Sequence, residues 1–158
     1  MFDGQQLRRV MGMFATGVTI VTTRDADGRP YGLTANAVSS LSLDPPLVLV
    51  CIDRKAETFP HFAASGCFVV NILAADQQEL SQRFAASGGD KFAGVAHTRN
   101  CDGVPILAGT LGHLECRIVA THEGGDHVIH VGQAHAGEAR GGAPLCYFAG
   151  RYRRLAEG

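Results

Sequence analysis

A mainly β chain closed as an antiparallel barrel is the fold this sequence predicts, on three observations. Short apolar or alternating runs recur along its length, at 18–23, 47–52, 68–73, 114–120 and 128–136. Turn signals separate them, at Asp25-Ala26-Asp27-Gly28, Asp44-Pro45-Pro46, Gly124-Gly125-Asp126 and Gly141-Gly142. Helical spacing is confined to a few short stretches, and no internal repeat or domain linker interrupts the chain. Many short strands joined by glycine turns, with a few peripheral helices, are the pattern of such a barrel.

Asp3 and Gln6 have the spacing of a capping box, and Leu7, Val10, Met11 and Phe14 follow at helical intervals. An amphipathic helix ending near Gly17 is therefore expected. Strand 18–23 leads into a hairpin turn at 25–28, where Gly28 permits positive φ. The wholly apolar run 47–52 reads as a strand buried on both faces. Residues 58–64 read as a short helix stopped by Ser65-Gly66, and 68–73 as a buried strand. Asp76 and Glu79 suggest a second capping box, heading a helix whose Leu80 and Phe84 share a face. Residues 87–109 show little periodicity and read as one long loop. Leu114, Cys116, Ile118 and Ala120 alternate with more polar neighbours, giving one apolar strand face. Strand 128–136 follows, and residues 145–155 form the last strand.

The chain has 158 residues, enough for one domain (1–158) with a sizeable core and short for two. Net charge is −1 with no basic block, and tryptophan is absent, so nucleic acid is not an expected partner. No apolar run approaches the roughly 20 residues that span a bilayer, and MFDGQQLRRV lacks the form of a signal peptide. A cytoplasmic, non-membrane protein is expected. The five cysteines are odd in number and form no C-x-x-C; three lie in apolar runs, where a free thiol packs as a small hydrophobe. His127 and His130 would face opposite ways on a strand, and H-E-x-x-H is absent, so no metal centre is expected. G-x-S-x-G and G-x-G-x-x-G are also missing, which argues against a serine hydrolase and a Rossmann nucleotide site.

The segment GLTANAVSSLSLDPPLVLVCIDR at 32–54 is less ordinary. Strands favour bulky β-branched or aromatic residues, yet Thr34, Ala35, Asn36, Ala37, Ser39 and Ser40 are small or hydrogen-bonding. A polar edge strand with a loop fits, and so does a groove for a flat, polar-edged ligand. TANAVSSLSLDPPLVLVC resembles the flavin reductase-like family, the short NAD(P)H:flavin oxidoreductases that serve two-component flavin monooxygenases. FATGVTIVTT at 14–23, FVVNIL at 68–73, EGGDHVIHVGQ at 123–133 and PLCYFAGRYRRL at 144–155 fit the same family in the same order.

That resemblance implies a split β-barrel, a homodimer, and FMN or FAD held near the dimer interface. It implies NADH or NADPH as a transient hydride donor, free flavin as substrate as much as cofactor, and a flavin-dependent monooxygenase component as partner. Thr34, Ala35, Asn36 and Ala37 would meet the flavin ring or its ribityl chain, with one of Ser39 and Ser40 reaching it. Cys51, Ile52 and Asp53 would contact it through the backbone. Arg54 and Lys55 are candidates for its phosphate, against a plain solvated pair. Phe92, better than core-facing Phe84, is the candidate to stack on adenine. His127, in the family's G-D-H, would donate a hydrogen bond to the nicotinamide carboxamide and orient C4 towards flavin N5, with Tyr147 bordering the same site. The second reading is a flavin-binding electron carrier or storage module with no productive nicotinamide site; a third, a pyridoxamine-phosphate-oxidase-like enzyme on a related barrel, should demand a denser basic cluster than this chain shows.

Overall fold

In the computed structural model, which describes residues 1–158, the chain begins with α1 (Gly4–Met11) and β1 (Thr16–Gly17). Strands β2 (Thr19–Arg24), β3 (Pro30–Ala35), β4 (Val38–Leu43) and β5 (Pro46–Asp53) follow, then α2 (Phe59–Ser65), β6 (Cys67–Ile72) and α3 (Gln78–Ala85). Short strands β7 (His97–Arg99) and β8 (Pro105–Leu107) precede the long pair β9 (Gly112–Gly124) and β10 (His127–Ala139), and β11 (Cys146–Phe148) and β12 (Arg151–Arg153) end the fold. Seven strands make one antiparallel sheet in the order β3-β2-β6-β9-β10-β5-β4. Its two edges, β3 and β4, are consecutive in the chain and joined only by Asn36 and Ala37. Two residues span about 7 Å. The sheet must therefore curl until its edges meet, and since β3 and β4 are not paired the barrel stays split there.

Local chemistry sets the boundaries. Asp3 Oδ1 accepts from Gln6 N–H at 2.8 Å and Gln6 Oε1 accepts from Asp3 N–H at 2.9 Å, the expected capping box. Helix α1 nevertheless stops at Met11: Gly12 caps it, and Ala149 N–H donates to Gly12 O at 2.8 Å, so Gly17 joins β1 instead. Asp25 Oδ1 accepts from Asp27 and Arg29 N–H at 2.9 and 2.8 Å, closing the β2–β3 turn. Gly66, at φ +68°, ends α2 as expected. The second capping box does not form. Gln77 precedes α3 without a side-chain cap, and its Oε1 instead accepts from Ala74 N–H at 2.9 Å.

Three further expectations change. In β5 only Val48, Val50 and Ile52 are buried, while Leu47, Leu49 and Cys51 face outward, half-covered. Residues 87–109 are not one loop, because β7 and β8 pair as a small hairpin. The last strand folds back on itself as β11 and β12, turning at Ala149-Gly150.

The barrel interior is Val21, Val48, Val50, Ile52, Phe62, Phe68, Val70 and Cys116. A second cluster, including Ile20, Leu73, Phe84, Phe92, Leu107 and Leu145, packs α3 and the 92–107 region against β2. Buried Asn71 ties the two layers. Its Nδ2 donates to Ile20 O at 2.9 Å and Thr22 Oγ1 at 3.1 Å, and its Oδ1 accepts from Leu107 N–H at 2.9 Å. Gly132 gives room for the Phe68 ring, since a Cβ there would lie 2.8 Å from Cys116 Cβ and inside contact distance of Phe68 Cζ. Both neighbours are fixed in the core. Gly132→Ala should therefore cost about 1–3 kcal/mol, read as a lower urea midpoint; an unchanged midpoint would mean that the Phe68 pocket is slack.

Candidate functional site

The split is where the sequence-marked residues gather. Asn36 and Ala37 are exposed, and their backbone N–H groups donate to no acceptor within the chain. Ala37 O accepts from Cys51 N–H at 3.0 Å, fixing the joint to the end of β5. Two residues on, roughly 7 Å along the strand, Asp53 stands opposite His127 in the β5–β10 register. A cleft of about 170 Å³ opens beside the joint, lined by Val18, Thr34, Asn36, Ala85, Tyr147 and Tyr152.

Within this arrangement the expected residues do different things. Thr34 Oγ1 donates to Ser81 O at 2.5 Å, so its hydroxyl serves α3 and only the rest of the residue borders the cleft. Ala35 O accepts from Thr19 Oγ1 at 2.6 Å. Asn36 Nδ2 donates to Thr16 Oγ1 at 3.3 Å, and Thr16 pairs with Tyr147 across β1–β11. Ser39 and Ser40 are exposed on edge strand β4, where Ser39 Oγ donates to Ser40 O at 3.0 Å. Ile52 is buried in the barrel, and Asp53 Oδ1 accepts from Lys55 N–H at 2.8 Å. Lys55 Nζ makes no bond within the chain. Arg54 is engaged, ion-paired with Glu123. Phe92 departs from expectation: it is only 9% exposed and meets Phe84 edge-on with centroids 5.0 Å apart, so core packing restricts it as a stacking platform. Its remaining surface lines a larger cavity of about 480 Å³ at the other end of β3, with Arg29, Tyr31, Glu57, Thr58 and Lys91.

Two of the three histidines of β10, His127 and His130, sit in opposite environments, as strand alternation requires. His127 Nδ1 lies 2.7 Å from Asp126 Oδ1. That hydrogen bond holds the Asp126 carboxyl below its ordinary value and leaves Nε2 as the free ring atom. His130 is 2% exposed, stacks on Phe62 with centroids 5.5 Å apart, and has Nδ1 3.0 Å from Thr121 Oγ1 while Nε2 has no partner. All five cysteines are free. Burial raises the Cys67 thiol and pushes that of Cys116 up to about 12, which makes both poor nucleophiles.

A family profile described as "Flavin reductase like domain" matches residues 11–156. The chain belongs to the flavin reductase-like family. It is 42% identical to the reductase subunit HsaB of a flavin-dependent monooxygenase from Rhodococcus jostii, over 95% of this chain and 77% of that protein. It is 40% identical to the FMN reductase (NADH) SmoA of Agrobacterium fabrum, over 97% of this chain and 87% of the relative. Among solved structures it superposes on the Streptomyces globisporus NADH:FAD oxidoreductase SgcE6, in complex with NAD and FAD fragments. That match has a TM-score of 0.91 at 39% identity and covers 98% of this chain and 93% of that one.

A flavin reductase-like site needs backbone donors for a polar ring edge and open space beside them. The unpaired N–H groups of Asn36 and Ala37 beside an open cleft meet both needs. Sequence reasoning missed Tyr152 and Ala85 as cleft residues. Tyr152 OH lies 2.7 Å from Ser81 Oγ, and its ring meets Tyr147 edge-on with centroids 5.3 Å apart. The i, i+5 spacing of the two tyrosines becomes a signal only once a hairpin is recognised between them.

His130 also gives the fold a pH dependence. Burial lowers its folded value below the ordinary 6.5, so the unfolded chain binds the proton more readily. Its contribution to stability is present above pH 6.5 and is lost progressively as pH falls from there through the lower folded value. His130→Phe should flatten the fall in urea midpoint between pH 7 and 5; an equally steep fall in the variant would place the proton uptake elsewhere.

Proposed function

We propose that this protein is an NADH-dependent flavin reductase whose flavin, FMN or FAD, lies at the barrel split, and that it supplies reduced flavin to a monooxygenase component. The observation that carries this reading is the Asn36-Ala37 joint, whose free N–H groups stand beside an open cleft and one strand pairing away from His127. The names of the relatives support the reaction, since they include an FMN reductase (NADH) and a monooxygenase reductase subunit. When bound, flavin supplies the two-electron acceptor chemistry. The chain's own groups do the rest. Backbone donors at the joint fix the ring edge, Tyr147 and Tyr152 wall one side of the cleft, and Lys55 is the free cation for a phosphate. His127 Nε2 meets the nicotinamide carboxamide. With Nδ1 engaged by Asp126, Nε2 is the ring atom left for that contact.

The same reading includes a homodimer in the cytoplasm. Phe2, Leu7, Val10, Met11, Met13 and Phe14 expose more than half their surface along α1 and just beyond it, and Leu41, Leu43 and Val119 expose apolar surface on the sheet. Patches of this kind mark association surfaces. Sedimentation should give twice the chain mass, and Val10→Asp with Phe14→Asp should shift it towards one. A monomeric wild-type protein would refute the dimer.

Purified protein should oxidise NADH only when FMN, FAD or riboflavin is added. Flavin uptake with no NADH consumption would establish the carrier reading instead. His127→Ala should cut kcat/KM for NADH about tenfold, the loss of one well-placed hydrogen bond, with flavin affinity unchanged. Unaltered NADH kinetics would remove His127 from the site.

A further inference from the structure

Arg54 is bonded throughout to the turn that carries His127. Its backbone N–H donates to Asp126 O at 3.1 Å and its Nε donates to Gly125 O at 3.3 Å. Its Nη2 pairs with Glu123, and its guanidinium carbon lies 6.0 Å from the Phe59 ring centroid. One side chain thus spans the end of β9, the turn and the start of α2. The turn is the two-residue loop Gly125-Asp126 that closes the β9–β10 hairpin, with Gly125 at φ +70°.

Stability does not account for the arrangement. The side chain of Arg54 is 38% exposed and that of Glu123 is 81% exposed, and ion pairs this open contribute little to folding. What the bonds do fix is direction. Asp126 accepts from Arg54 N–H through its carbonyl while its carboxylate receives the His127 ring, so the turn and the imidazole move together.

We infer that Arg54 is a positioning residue. It clamps the turn at 123–126 so that the Asp126 carboxylate holds the His127 ring in one orientation, with Nε2 directed to the nicotinamide side. The inference rests on the reading of His127 given above, and it removes Arg54 from the candidates for the flavin phosphate. A guanidinium fork suits this task better than an ammonium, since its separate N–H groups reach two acceptors at fixed angles.

The test compares Arg54→Lys, Arg54→Met and Glu123→Gln with wild type and His127→Ala, in two measurements. The first is the titration of the Asp126 carboxyl by carbon NMR, which needs no turnover. Both Arg54 variants should move it up towards the ordinary carboxylate range, including Arg54→Lys, which keeps the charge. The second is NADH kinetics with FMN and with riboflavin, which lacks a phosphate. The KM for NADH should rise about fivefold with either flavin, and less in Glu123→Gln. Arg54→Met should add no further rise in the His127→Ala background.

An Asp126 titration identical to wild type in both Arg54 variants would overturn the clamp. So would a defect seen with FMN and absent with riboflavin, which would make Arg54 a phosphate ligand. If His127→Ala leaves NADH kinetics unaltered while the Asp126 titration still moves in the Arg54 variants, the clamp holds and the role of His127 falls.

Discussion

Two residues determine the geometry on which everything else depends. Asn36 and Ala37 join strands that lie at opposite edges of a seven-stranded sheet, and so short a link can be made only if the sheet curls closed. A longer connection would let the edges part. Closure brings β3 and β4 side by side without pairing them, so the joint keeps N–H groups that a continuous sheet would have satisfied. Cost and use coincide, since unpaired donors at a barrel seam are what a ligand with a polar edge requires.

The register of β5 against β10 then decides which histidine points outward. With His127 opposite Asp53 and His130 opposite Val50, one ring reaches the surface turn and the other enters the barrel against Phe62. A slip of one residue would exchange them, burying the ring that pairs with Asp126 and exposing the one that packs as a hydrophobe. Buried Val48, Val50 and Ile52 resist that slip by their alternation. The same apolar positions that stabilise the sheet therefore aim the site, and core and function are not separable in β5.

Much of this was legible in the sequence. The strands at 18–23, 68–73 and 128–136, the capping box at Asp3 and the αL stop at Gly66 have local causes, and local causes can be read in order along a chain. Thr34, Asn36, His127 and Tyr147 were singled out by a resemblance spread over five segments, which no single spacing could have supplied. The failures were tertiary. Apolar Leu47 and Leu49 gave β5 the look of a fully buried strand, although their face is only half-covered in one chain. Phe92 looked free because glycines surround it in sequence, yet Phe84 and the β7–β8 hairpin enclose it. The pairing of Arg54 was hidden for the same reason, since its partners, Glu123 and Gly125, lie about seventy residues away.

The scale of the cleft bears on how the proposed site would hold flavin. About 170 Å³ beside Thr34, Asn36 and Tyr147 is smaller than the roughly 300–1,000 Å³ of pockets that enclose most of a ligand. One chain can grip a ring edge there but cannot surround a whole flavin nucleotide. The half-covered face of β5 and the exposed apolar residues of α1 are the surfaces that the proposed second copy would cover. An open seam also leaves a face of the ring accessible to a second planar molecule, with no separate nucleotide-binding domain to retain it. Under the proposed function, loose enclosure, a bare face and a histidine at its margin would make this a surface on which two redox partners meet briefly and then part.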